Sequence, residues 1–314
     1  MFSKRKELAL NRYKIFQLVL IQIALISVFS TLGEANIDKY YPGLFNGALK
    51  HAIIGVLPND VVLEAGEVKI TQGQLDAEVK KTSSNIQPQI KDNLFFLLEN
   101  MAVDQLISAE VKAWAVSKKI DKNMNEQALT RKYVEELTAK ITVSPEEIKE
   151  FYEANKDAFR GAKFTDVEPY IKPQLINEKK QEFLGKYVNE IGKRVTIKVN
   201  DNWAKAQYPK AINNPVNKAR KSGKPSLVDF GASGCGPCDM MTPILEQLKK
   251  EYLDIINVEF VDVREHQILG ARYGVSSIPV QVFFDRNGNE FYRHVGFLPK
   301  NDIIAKLKEM GVNK

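Results

Sequence analysis

Residues 226–243, SLVDFGASGCGPCDMMTP, constrain this chain more than any other stretch. They open with a short apolar run, Leu227-Val228-Asp229-Phe230, long enough for a buried strand. Gly231, Ala232, Ser233 and Gly234 follow, then Cys235-Gly236-Pro237-Cys238, then a helical pattern through Met240, Met241, Ile244, Leu245 and Leu248. The first cysteine therefore falls where a strand hands over to a helix. Unpaired N–H groups and the positive end of the helix dipole favour a thiolate there. With two residues between them, the sulfurs meet within one helical turn, so a disulfide can close and reopen. A zinc site needs about four ligands, but the chain has no other cysteine and only three histidines, none near the motif in sequence. A purely structural disulfide across so short a loop would constrain little unfolded-chain entropy. A redox-active pair is the stronger reading than either.

The flanking residues carry a family resemblance. Gly236-Pro237 separates the cysteines, Asp229 lies in Val-Asp-Phe, and Pro243 stands five residues after Cys238. Further on come Ile278-Pro279, an Asn287-Gly288 turn between two apolar runs, and Gly296. In these features residues 214–314 resemble the thioredoxin family. The resemblance implies an α/β thioredoxin fold and a thiol–disulfide oxidoreductase without a cofactor or metal. It assigns catalysis to Cys235, Cys238 and Asp229, the last as the buried acid that exchanges a proton with Cys238. Gly236, Pro237, Ile278, Pro279 and Gly296 would meet the substrate, with Pro279 in the cis form and Pro243 kinking the active-site helix. Three positions depart from the family: Gly234 replaces the usual tryptophan, Val280 the usual threonine, and Phe260 a frequent lysine near the buried acid. They bear on redox potential and substrate surface, not on reaction type.

The net charge of +6 reflects the first 14 residues, where five cations face only Glu7; about +2 remains for the other 300. Nucleic acid is therefore not an expected partner. An apolar stretch over residues 15–33 follows this basic tail, near the lower limit for crossing a bilayer and long for a signal-peptide core. Residues 1–35 read as a signal anchor or signal peptide, with the anchor preferred although Gly33-Glu34-Ala35 would suit cleavage. Either way the body is expected outside the cytoplasm, periplasmic or on the outer face of the cytoplasmic membrane.

Residues 36–60 are aromatic and poorly periodic and read as a linker with one short helix. Residues 61–200 read as a mainly helical α+β unit. Two short strands flank a Glu-Ala-Gly-Glu turn, and Thr71 caps a helix to Lys81. A long helical stretch follows Pro88, another covers about 123–140, and Ser144-Pro145-Glu146-Glu147 is a capping box with proline at the first helical position. Asp166 and Pro169 introduce one more long helix, and residues 195–199 alternate as a strand expected to pair with 61–70. The segments VSPEEIKEFYEANKDAF and FTDVEPYIKPQLINEKKQEFLGKYVNEI resemble those of SurA-like periplasmic chaperones and peptidyl-prolyl isomerases. Only four residues separate them, which leaves no room for the isomerase domain and carries no catalytic claim for this half. Residues 201–213 read as a second linker.

Together these readings imply an exported, tethered reductase of disulfide-bonded client proteins, with a helical half that binds polypeptides. With no cysteine beyond the active pair, its electrons would come from a thiol donor in the membrane. A chaperone with an accessory redox unit, or an oxidase or isomerase, are the alternatives. Met240 and Met241 read as core, and His266 and His294 as surface groups.

Overall fold

Short strands of β-branched and aliphatic residues build two separate sheets, each buried on the faces that the apolar alternation selects. The computed structural model describes residues 35–313 except 46, 122, 157, 158 and 160. The expected N-terminal transmembrane or signal helix lies outside these residues. Among the described residues no helix is long and apolar enough to cross a membrane.

The first sheet has the order β1-β4-β2-β3, from β1 (Ile53–Gly55), β2 (Val61–Ala65), β3 (Val68–Thr71) and β4 (Ile197–Asn200). β2 and β3 form a hairpin, and β4 enters antiparallel to β2 and parallel to β1. Helix α1 (Ile37–Tyr40) and a 3-10 turn (Ala48–His51) precede the sheet. Helices α2 (Gln72–Lys81), α3 (Gln87–Asp92), α4 (Leu94–Ser117), α5 (Glu126–Thr138), α6 (Pro145–Ala154) and α7 (Phe164–Arg194) lie between β3 and β4. The Thr71–Gln74 and Ser144–Glu147 pairs each close a reciprocal capping box, which satisfies two N–H groups at the start of α2 and α6. The long stretch after Pro88 is broken at Asn93, whose φ of −123° and ψ of 38° leave the helical region. α7 starts at Phe164, so Pro169 and Pro173 stand inside it instead of opening it.

Both expected linkers belong to the folded body. Ile37, Leu44, Phe45, Ala48, Leu49 and Ala52 are buried in the core of the first sheet, and Phe45 packs edge-on against Phe95 at 5.4 Å. This segment buries its apolar groups through turns, so it lacks the periodicity by which an element is recognised. Residues 201–213 contain helix α8 (Asp201–Ala211), capped by Asn200 Oδ1, which accepts from Trp203 N. Pro209 disguises this helix in the sequence because proline is disfavoured in helix interiors.

The second sheet has the order β6-β5-β7-β8, from β5 (Ser226–Gly231), β6 (Asn257–Asp262), β7 (Val280–Phe284) and β8 (Glu290–Val295). β5 is parallel to β6 and antiparallel to β7, and β7 is antiparallel to β8. Helices α10 (Gly236–Glu251) and α12 (Lys300–Glu309) cover the face carrying Leu227 and Phe283; α9 (Pro215–Arg220) and α11 (Gln267–Arg272) cover the face carrying Val228 and Phe230. Within α10, Met241 is buried, but Met240 is 44% exposed, because neighbours 100° apart on a helix cannot share one narrow core stripe.

Two glycines of α7 make opposite demands. A Cβ on Gly192 would run into the backbone of Ala48, whereas a Cβ on Gly185 would meet open space. Gly192→Ala is expected to cost about 1–3 kcal/mol through overpacking. Gly185→Ala is expected to stabilise by about 0.5–1 kcal/mol through helix propensity. Urea unfolding of the two variants checks both signs.

Candidate active site

Strand alternation decides which way Asp229 points. Leu227 and Asp229 share the sheet face covered by α10, while Val228 and Phe230 turn to the other. Ladder register sets Asp229 between Phe260 on β6 and Gln281 on β7. The residue is fully buried, and its Oδ1 accepts a hydrogen bond of 2.7 Å from Gln281 Nε2. Among the described residues, its other oxygen, Oδ2, has no hydrogen-bond partner, and neither has Oε1 of Gln281. Burial pushes the Asp229 carboxyl up to about 6, and the Gln281 bond pulls only partly the other way.

β5 ends at Gly231, and the lack of a side chain there opens the space between the acid and the cysteines. A Cβ on Gly231 would lie 3.4 Å from Cys238 Cβ, 3.5 Å from Asp229 Oδ2 and 2.8 Å from the Phe260 ring. The free carboxylate oxygen and Cys238 therefore border one small gap, closed on its outer side by Phe260, which is 40% exposed. Cys235 is the N-cap of α10, with Pro237 in the first turn, and the helix begins with Asp239 N donating to the Cys235 carbonyl at 2.8 Å. Cys235 and Cys238 are joined by a disulfide with Cα atoms 5.2 Å apart. Cys235 is half-buried and Cys238 only 2% exposed, while Gly236 and Pro237 are exposed.

The loop before Cys235 turns through Gly234, whose φ of +75° is a conformation that a tryptophan would hold only under strain. Arg264 Nη1 donates to the Ser233 carbonyl at 2.7 Å and helps to pin that loop. The Ile278–Pro279 peptide bond is cis. Phe230 pairs with Val280, so Pro279 stands at the end of the sheet where β5 gives way to the cysteines. Gly296 N donates to the Pro279 carbonyl at 2.8 Å, which brings Gly296 to the same end. Among the described residues, no backbone hydrogen bond engages the N–H or carbonyl of Ile278, so both remain available to an extended ligand.

Gln281 was not recognisable in the sequence, because only the register of β5 and β7 places it against Asp229. Its sole local signal is a polar residue inside an apolar strand. His294 is a correction: it is half-buried, its Nε2 lies 3.1 Å from the Phe297 carbonyl, and burial holds its pKa below the ordinary histidine value. His266 is exposed. Among the described residues, no group of three or more His, Cys, Asp or Glu side chains could hold a metal ion.

The native carboxyl of Asp229 titrates above its unfolded counterpart, so the folded protein binds the extra proton between about pH 3.8 and 6. Stability therefore falls as pH rises through that window and stays lower above it. Asp229→Asn removes this loss. The variant is expected to be more stable than the natural chain by about 3 kcal/mol at pH 8, at roughly 1.4 kcal/mol per pKa unit. The gain should shrink towards zero by about pH 3.8, as urea titrations at both pH values would show.

Residues 204–309 match the family described as thioredoxin. Thioredoxin of Alicyclobacillus acidocaldarius is 34% identical over 93 residues, 88% of that protein and 30% of this chain. Thioredoxin of Chlorobaculum thiosulfatiphilum is 40% identical over 88 residues, 81% of that protein and 28% of this chain. Chloroplastic thioredoxin Y of Oryza sativa is 38% identical over 88 residues, 28% of this chain, and the chain spans about half (52%) of its length.

Proposed function

Because the chain belongs to the thioredoxin family, we propose that it is a thiol–disulfide oxidoreductase that reduces disulfides of client proteins. One observation carries the reading: of two linked cysteines, one is accessible at a helix N-terminus, and the other is buried beside an unpartnered carboxylate oxygen. In the reduced protein the Cys235 thiolate, favoured by the helix dipole, attacks one sulfur of the client disulfide. A mixed disulfide forms, and the other client sulfur leaves as a thiolate. Asp229 takes the proton of Cys238, whose thiolate then attacks Cys235 Sγ and expels the second client sulfur. The client gains two electrons and two protons, and the chain ends in the Cys235–Cys238 disulfide. A dithiol donor returns the two electrons for the next cycle.

Burial of Cys238 gives the two sulfurs unequal tasks, since only Cys235 is open to a macromolecule. Ile278, Pro279 and Gly296 would align the client backbone, and Gly236 and Pro237 form the exposed rim beside the disulfide. The finer parts of the proposal rest on the sequence. The basic, apolar N-terminal segment supports export with tethering to the outer face of the cytoplasmic membrane, and a membrane thiol carrier as donor. The SurA-like segments support polypeptide binding by the helical half.

Cys238→Ser should halt the cycle at the mixed disulfide, so client proteins should be recovered covalently bound to Cys235 from non-reducing gels. Recovery of the same adducts from Cys235→Ser would overturn the division of labour. The resolving step should quicken as pH rises through about 6, where Asp229 loses its proton, and this dependence should vanish in Asp229→Asn. Stopped-flow decay of a preformed mixed disulfide measures both. In intact cells, acid quenching followed by thiol alkylation should find the pair mostly reduced; a mostly oxidised pair would reverse the proposed direction.

A further inference from the structure

Among the described residues, β8 is an edge strand paired only with β7. Register tells which of its backbone groups are free. The Gly296–Pro279 hydrogen bond marks a bonded pair, and in an antiparallel ladder such pairs alternate, so His294 and Tyr292 face β7. Arg293 and Val295 therefore direct their N–H and carbonyl groups away from β7, whereas the register shift between Phe283 and Phe284 interrupts the alternation before Phe291. The strand ends at Val295, and the next residue, Gly296, is hydrogen-bonded to the cis-proline.

A groove of about 710 Å³ runs between β8 and α12 on one side and α6 and α7 on the other. Phe151, Leu175, Tyr292, Val295 and Leu298 supply apolar surface to it. Its cations are matched within the chain: Lys179 pairs with Glu147, Lys306 with Glu309 and Arg293 with Glu290. Its acids are in surplus. Among the described residues, Glu150 and Asp302 have no ion pair or side-chain hydrogen bond, and Glu178 only accepts from Gln174 Nε2 at 3.0 Å.

We propose that this groove binds an extended, cysteine-free stretch of the client polypeptide as an added strand on β8, with client Lys or Arg side chains meeting Glu150, Glu178 and Asp302. Six residues of β8 offer about 20 Å of edge at ~3.3 Å per residue. The strand's end at Val295, next to Gly296, leads the client towards Ile278 and Cys235. Charge selects a basic client over a second copy of this chain, which would bring the same carboxylates against each other. The inference rests on the reading of the chain as an oxidoreductase of polypeptides. Its test is therefore blind to thiols.

The probe is a fluorescein-labelled octapeptide of alternating valine and lysine, titrated into the full chain and followed by anisotropy. Binding is expected, and it should persist in Cys235→Ser. The valine–glutamate octapeptide should bind at least tenfold more weakly. The triple variant Glu150→Lys, Glu178→Lys, Asp302→Lys, on exposed positions, should weaken the lysine probe by at least tenfold and improve the glutamate probe. Val295→Pro, which removes an outward N–H but no bond to β7, should weaken both. Equal binding of the two probes, absence of binding, or indifference to the triple variant would overturn the groove assignment without touching the thiol chemistry. Failure of mixed-disulfide trapping with intact probe binding would overturn the redox reading and leave the groove standing.

Discussion

The carboxyl of Asp229 lies in the interior of the second sheet with one neutral partner, and the organisation of the site depends on tolerating it. A buried, incompletely bonded carboxylate is costly, and the cost appears as a pKa pushed up to about 6 instead of near 4. Gln281 relieves part of it through Oδ1, but the arrangement leaves Oδ2 aimed at the gap beside Cys238. A lysine on β6 would have neutralised the acid; Phe260 instead shields it. The acid therefore stays close to the pKa at which it can accept and return a proton near neutrality. Gly231 completes the arrangement, since any side chain there would fill the gap between the acid and Cys238.

The helical half is joined to this sheet by polar contacts and by a small apolar cluster in which Ile268 packs with Val79, Ile90 and Leu94. Arg220 and Arg272 both donate to the Gly43 carbonyl, at 3.3 and 3.0 Å, and Arg272 also donates to the Ala211 carbonyl at 2.9 Å. Gln89 Nε2 donates to the Glu265 carbonyl at 2.8 Å. Near Arg272, burial raises the Glu99 carboxyl to about 7, although Leu49 N donates to it at 3.2 Å. Guanidinium groups holding carbonyls are directional, so they orient the helical half more sharply than apolar contact alone would. That orientation brings α6 and α7 alongside the free edge of β8. An exposed edge is ordinarily an aggregation hazard; here α6 and α7 stand beside it across the groove and narrow what can reach it.

Local chemistry was legible in the sequence wherever its cause was local. Thr71 and Ser144 cap helices because their partners lie three residues away, and the strand–cysteine–helix handover is written in 18 consecutive residues. Gly234 was visible as a departure, but its reason, a left-handed turn into the helix, required the backbone. The error over Met240 came from crediting both methionines to one stripe. The error over residues 36–60 came from the opposite cause: a segment packed through turns has no period to detect. His294 read as exposed because nothing in its neighbours announces the Phe297 carbonyl that folds back onto it.

The sequence by itself determined that this chain places a reactive cysteine pair at the mouth of a helix, on a strand–helix scaffold, because short-range backbone geometry dictates both. Only the tertiary structure decided what surrounds that pair. Strand register set Gln281 and Phe260 against Asp229, and the arginine contacts to Gly43 drew the helical half beside β8. Those relations join residues dozens to hundreds of positions apart. Their energies arise only when sheets, helices and loops close on one another.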